Sequence, residues 1–138
     1  MKRFLFLLGV SLFFSFTAFS QETVYQLSSH ILDINIGKPA SDVVISLSKK
    51  VGDDWKVIDE KRTDKDGRVK DFLDKSKGSN EGIYKLTYHV APYFEKQQQD
   101  TFYPFIEVVF EIKDDKHYHV TILFSATTIL SAVFQPIK

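Results

Sequence analysis

Hydrophobic and polar residues alternate along most of this chain with a period of two, the spacing of a β-strand with one buried face. The clearest run is His117-Tyr118-His119-Val120-Thr121-Ile122-Leu123-Phe124-Ser125. Tyr118, Val120, Ile122 and Phe124 fall on one side and predict a core face. His117, His119, Thr121, Leu123 and Ser125 fall on the other, a mixed face of the kind that looks into solvent, a cleft or a partner subunit. Similar runs predict strands over 27–33, 43–49, 55–61, 68–72, 83–90 and 105–112. Tyr84, Leu86, Tyr88 and Val90 form the core side of the fifth of these. Between them stand turn residues: Asn35 to Pro39, the charged loop Lys49 to Asp54, Thr63-Asp64-Lys65-Asp66-Gly67, the polar stretch Lys75 to Gly82, and Lys113 to Lys116. Pro92 suits a first helical position, and Tyr93 to Gln99 predicts about two helical turns. Short strands with one brief helix make an all-β, eight-stranded, two-sheet sandwich the expected fold.

The first 20 residues break this pattern. Met1-Lys2-Arg3 is basic, Phe4 to Phe16 is apolar apart from Gly9, Ser11 and Ser15, and Ala18-Phe19-Ser20 offers small residues at a cleavage site. This predicts a signal peptide over 1–20, one domain over 21–138, and a periplasmic or secreted product. The apolar run falls short of the ~20 residues that a membrane span requires, and no membrane association is expected after its removal. A mature chain of 118 residues suits a single core.

Charge and cysteine content narrow the classes further. Without Lys2 and Arg3 the chain keeps 16 basic and 18 acidic side chains, so no basic surface supports nucleic-acid binding. An exported chain with no cysteine has no disulfides to stabilise it. After residue 20 the chain keeps seven of its thirteen Phe and all six Tyr, which supply a dense aromatic core in their place.

The candidate chemistry is carried by two imidazoles and a guanidinium. His30 lies in Leu27-Ser28-Ser29-His30-Ile31-Leu32-Asp33, Arg68 follows the Asp66-Gly67 turn, and His119 lies in the long alternating run. Adding water to a carbonyl group needs water deprotonated near neutral pH, a proton donor for the leaving group, and positive charge at the carbonyl oxygen. Imidazoles and one planar guanidinium meet that list. Either His119 or His30 could be the base, with Arg68 as substrate anchor and oxyanion stabiliser. Taken singly, each residue has a plainer reading as a solvated strand position. His117 is expected at an exposed edge and His89 at the surface. Asp64 and Asp66 read as turn chemistry, with calcium binding as the alternative. His30 with the His117-x-His119 pair could instead form a three-imidazole zinc site.

Several segments together resemble the transthyretin family: Leu27 to Asp33, Gly37-Lys38-Pro39-Ala40, Asp66-Gly67-Arg68-Val69, Gly82-Ile83-Tyr84, Phe102-Tyr103-Pro104 and His117-Tyr118-His119-Val120. In the His and Arg positions the chain is similar to the 5-hydroxyisourate hydrolase branch. The resemblance implies a transthyretin-like sandwich, a homotetramer, and a hydrolytic site at the subunit interface built from His30, Arg68 and His119. It implies no cofactor and no metal, and it implies a small heterocyclic substrate opened by water in urate degradation. From Ser125 onward the sequence departs from that branch, which ends in Tyr-Arg-Gly-Ser. Ser125-Ala126-Thr127-Thr128-Ile129-Leu130-Ser131 and an apolar tail stand there instead, and this predicts a drier pocket mouth. Two non-catalytic readings share the scaffold turns: a transthyretin-like carrier of a small aromatic ligand, and a prealbumin-like binding module of a secreted protein.

Overall fold

The computed structural model describes residues 23–134, with side chains described to residue 131. The expected signal peptide therefore lies outside the described residues. Nine strands and one α-helix are present among them: β1 (Tyr25–Asp33), β2 (Lys38–Pro39), β3 (Val44–Val51), β4 (Asp54–Arg62), β5 (Arg68–Asp74), β6 (Gly82–His89), α1 (Ala91–Lys96), β7 (Ile106–Ile112), β8 (Tyr118–Phe124) and β9 (Ile129–Phe134). One sheet runs β2–β1–β8–β9, with β5 pairing the same edge of β1 as β2 does; the other runs β4–β3–β6–β7. All pairings are antiparallel except β1 with β8, which is parallel.

The alternating runs behave as period-two burial requires. Tyr118, Val120, Ile122 and Phe124 are buried, and they meet Ile45, Leu47, Tyr84, Leu86 and Tyr88 of the facing sheet in one hydrophobic core. Interior hydroxyls are paired as well. Tyr88 donates to Ser29 Oγ at 2.7 Å, and Ser29 donates to the Val120 carbonyl at 3.0 Å, so a buried polar link crosses the sandwich at β1. Burial is the main reason the Tyr88 phenol is held far above its ordinary pKa.

The helix is shorter than the sequence pattern suggests. It runs Ala91–Lys96 with Pro92 in its first turn, and it ends at Gln97, before Gln98 takes a φ of 55°. Phe94 plugs one end of the core edge-on to Phe124, with ring centres 5.4 Å apart. Two strands escaped the sequence pattern. β2 is two residues long, too short to show periodicity. β9 lies in the apolar tail after a tight turn, where Ser125 Oγ accepts from the Thr127 and Thr128 amides at 3.3 and 3.1 Å. Largely apolar character hides the alternation there.

The Thr63–Gly67 turn is the local feature that matters most for the site. Asp64 Oδ1 accepts from the Asp66 and Arg68 amides, both at 2.9 Å, as a turn-capping aspartate should. These amides are the main influence that lowers the Asp64 pKa. The Gly67 carbonyl then accepts from the Ile31 amide at 2.9 Å, which docks the turn onto β1. Gly67 has φ of 69°, and a Cβ there would stand 2.4 Å from the Ile31 carbonyl oxygen. Gly67→Ala is therefore expected to destabilise the fold by ~2 kcal/mol or more, since left-handed strain and a backbone collision add. A urea midpoint equal to wild type would refute this.

Candidate functional site

The three residues singled out from the sequence stand together on the outer face of the β5–β1–β8 sheet. Register explains how. On β1, Leu27, Ser29, Ile31 and Asp33 point into the core, which sends Ser28, His30 and Leu32 outward. Antiparallel pairing sets His30 opposite Arg68 of β5, and parallel pairing sets His30 opposite Thr121 and Ser28 opposite His119. His30 and His119 are thus diagonal neighbours across two strands, with ring centres 6.5 Å apart and planes tilted by 41°. Arg68 enters from the far side of β1, where the capped turn delivers it.

The electrostatics follow from this crowding. Burial is the largest influence on both imidazoles and lowers both pKa values, because a charged ring loses hydration there. The Arg68 guanidinium acts second and in the same direction. His30 and His117 add to the effect on His119. At His30 the Asp66 backbone and the Asp64 and Asp66 carboxylates pull the other way without reversing the shift. Both shifts favour the neutral ring, which keeps a lone pair available for a proton.

The direction of these shifts has a consequence for stability. A histidine whose folded pKa is depressed binds protons more readily in the unfolded chain, so protonation favours unfolding. The contribution is fully present above the unfolded value of about 6.5 and is lost as pH falls through that value towards the folded pKa. NMR titration of the His30 and His119 ring protons should give midpoints below about 6.5. Midpoints at or above it would contradict the described surroundings.

Two further residues belong to the cluster: Ser28, which the sequence did not single out, and His117, which it placed at an exposed edge or in a zinc site. Ser28 Oγ lies 2.7 Å from His119 Nδ1 and 2.7 Å from His117 Nε2, and His117 Nδ1 lies 3.1 Å from the Tyr25 carbonyl oxygen. His117, expected at an exposed edge, is instead half-buried and hydrogen-bonded at both ring nitrogens. The signal was present in the spacing: residues i and i+2 of a strand share a face, so a His-x-His pair can straddle one side chain of its neighbour. Which side chain that would be depends on a parallel register that β1 and β8 acquire only in the fold. His89 is also half-buried, its Nε2 2.9 Å from Ser46 Oγ, and Ser46 donates to Glu60 at 3.0 Å. With its proton given to Glu60, Ser46 accepts from His89, and the trio braces β3 to its two neighbours β4 and β6.

Among the described residues, no group of three or more His, Cys, Asp or Glu is placed to hold a metal ion, so His30, His117 and His119 do not form the three-imidazole zinc alternative; Asp64 caps its own turn. His30, Arg68 and His119 are each half-buried on that sheet face. A hollow of about 300 Å³ on the same molecule, lined by residues including Tyr25, Asp59, Lys61 and Asp71, contains none of His30, Arg68 and His119. The departing tail runs alongside: β9 pairs β8 with Phe134 opposite His119 and Ala132 opposite Thr121.

Comparison with known proteins gives a consistent picture. The model of the HIUase/Transthyretin family matches residues 27–129. A probable 5-hydroxyisourate hydrolase of Caenorhabditis elegans is 38% identical over 122 residues, covering 83% of this chain and 90% of its own. The 5-hydroxyisourate hydrolase of Salmonella typhi is 42% identical over 100 residues, covering 72% and 73% respectively. Among solved structures, transthyretin from Sparus aurata superposes with a TM-score of 0.75 at 25% identity, over 81% of this chain and 98% of that one.

Proposed function

The chain belongs to the HIUase/Transthyretin family, and on that premise we propose that it is a 5-hydroxyisourate hydrolase whose reacting groups are His30, Arg68 and His119. The observation that carries this reading is the meeting of two imidazoles and a guanidinium, from three separate strands, on one sheet face. A flat, oxygen-rich heterocycle lies against that face with Arg68 hydrogen-bonded to its carbonyl oxygen. His119 takes a proton from water, and the resulting hydroxide adds to the ring carbonyl. Negative charge gathers on the carbonyl oxygen, where Arg68 stabilises it. The C–N bond then breaks as His119 returns the proton to the ring nitrogen, so water is added across the amide and the enzyme is restored. His30, neutral beside Arg68, orients the water by hydrogen bonding. No cofactor takes part.

The test is direct. Purified protein mixed with freshly generated 5-hydroxyisourate should speed the decay of its ultraviolet absorbance. Decay at the rate of buffer alone would sink the hydrolase reading in favour of a carrier. The observation that favours a carrier is the largely apolar sequence of β9, paired beside His119 in place of the polar tail of the hydrolase branch.

Assembly and location extend the proposal. A site on one sheet face needs a second wall, and among the described residues β7 and β9 are sheet edges with no further strand paired to them. A homotetramer supplies both, closing the site between subunits; sedimentation at the monomer mass would exclude it. The basic, then apolar, then small-residue pattern of residues 1–20 supports export. An exported protein whose first residue is Gln21 is the expected product.

A further inference from the structure

Beside His119 lies a chain of hydrogen bonds whose direction is set by its far end. The Tyr25 carbonyl oxygen can only accept, so His117 Nδ1, 3.1 Å away, must carry a proton and donate it. Neutral His117 then has a lone pair on Nε2, and the Ser28 hydroxyl, 2.7 Å away, donates to it. With its single proton committed there, Ser28 Oγ accepts from the remaining partner, His119 Nδ1, at 2.7 Å. His119 therefore carries its proton on Nδ1 and leaves Nε2 bare, which is the form a base requires. Each step depends on the one before it, and one backbone carbonyl orients the whole series.

We propose that Ser28 and His117 are positioning residues that hold His119 in the Nδ1-protonated tautomer and accept the positive charge created when it acts as a base. The proposal rests on the hydrolase reading of the site. When Nε2 of His119 takes a proton from water, the Nδ1 proton passes to Ser28 Oγ, and the Ser28 proton passes to His117 Nε2. Three protons move by one bond each, and none is gained or lost. The products are a hydroxide at the site, a neutral His119 with its proton on Nε2, and an imidazolium at His117 that still donates to Tyr25. The physical advantage is where the charge ends. His119 sits beside Arg68 and His30, both of which disfavour a cation on its ring. His117 lies at the other side of Ser28, beyond His119 from that guanidinium. The reverse movement returns the proton to Nε2 for the leaving nitrogen.

The arrangement also gives a physical reason for two neighbours of the reacting groups. A serine at position 28 presents a hydroxyl that can donate and accept at once, which alanine or valine cannot. A histidine at 117 supplies a second ring whose Nε2 can take the Ser28 proton while Nδ1 still donates to Tyr25. Both are placed by the same parallel register that sets Ser28 opposite His119.

Nitrogen-15 NMR of the full chain at about pH 8, above the ordinary imidazole range, reads the tautomer without reference to turnover. The expected wild-type spectrum has the His119 proton on Nδ1. In Ser28→Ala that preference should be lost, and kcat should fall about 10- to 100-fold with KM nearly unchanged, as expected when the partner that orients a catalytic imidazole is removed. Ser28→Thr, which keeps the hydroxyl, should restore both. A wild-type His119 protonated on Nε2, or a Ser28→Ala spectrum identical to wild type, overturns the proposal. Absence of turnover in the wild type would remove the hydrolase reading, while the His119 tautomer would still decide the role of Ser28.

Discussion

Replacing His119 by alanine is expected to lower kcat/KM for 5-hydroxyisourate by about 10²- to 10⁴-fold, the range that a positioned general base supplies. The effect should fall mainly on kcat, because the ring acts on water and the leaving nitrogen and contributes little to holding the heterocycle. The fold should tolerate the change. His119 is half-buried on the outer face, its backbone pairing with β1 and β9 is untouched, and its ring makes one described hydrogen bond, to Ser28. The stability cost is therefore about 1 kcal/mol. Parallel measurement of kcat, KM and the urea midpoint separates the two effects. A His119→Ala protein with wild-type kcat would show that another group activates water.

The second large effect is expected at Arg68. Arg68→Ala removes the positive charge at the developing oxyanion and should cost about 10²- to 10³-fold in kcat, with KM rising as the substrate anchor is lost. Arg68→Lys keeps the charge and should still be impaired about tenfold or more, because an ammonium cannot offer a planar two-pronged donor to a flat heterocycle. The alanine variant carries an internal control. Arg68 is the second-largest influence depressing both imidazoles, after burial, so its removal should move the His30 and His119 titrations upward, closer to about 6.5. Since burial persists, the rise should be partial. Unchanged ring titrations with lost activity would place the guanidinium farther from the rings than described.

Strands whose two faces differ in polarity were legible in the sequence, and strands without that contrast were not. β8 and β6 alternate cleanly, and their buried sides are the residues that periodicity assigns. The capped turn before Arg68 was equally readable, because Asp64 bonds its own local backbone and needs no distant partner. β9 was missed because all its residues but Ser131 are apolar, so its two faces do not differ in polarity. The helix stopped short of the expected Gln99 because the polar Gln97 to Gln99 stretch has no face to bury, whereas Phe94 fills the core.

The candidate site divides along a similar line. His30, Arg68 and His119 could be chosen as chemically apt, and the resemblance to a known family grouped them. Ser28 attracted no attention, and His117 was expected to be exposed. Both assignments depend on which strand lies next to β1 and in which direction it runs.

By itself, then, the sequence determined the local events in this protein: which residues extend, which face of each strand is apolar, and where Asp64 turns the chain. These follow from side-chain spacing and short-range hydrogen bonds, which act within a few residues. Only the tertiary structure decided that β8 lies parallel to β1 with His119 opposite Ser28, and β5 antiparallel with Arg68 opposite His30. Those registers minimise the free energy of the whole core at once, since a slip of one residue would turn every apolar side chain outward. The proximity of the imidazoles and the guanidinium, and the depressed proton affinity that results, is a product of that global choice.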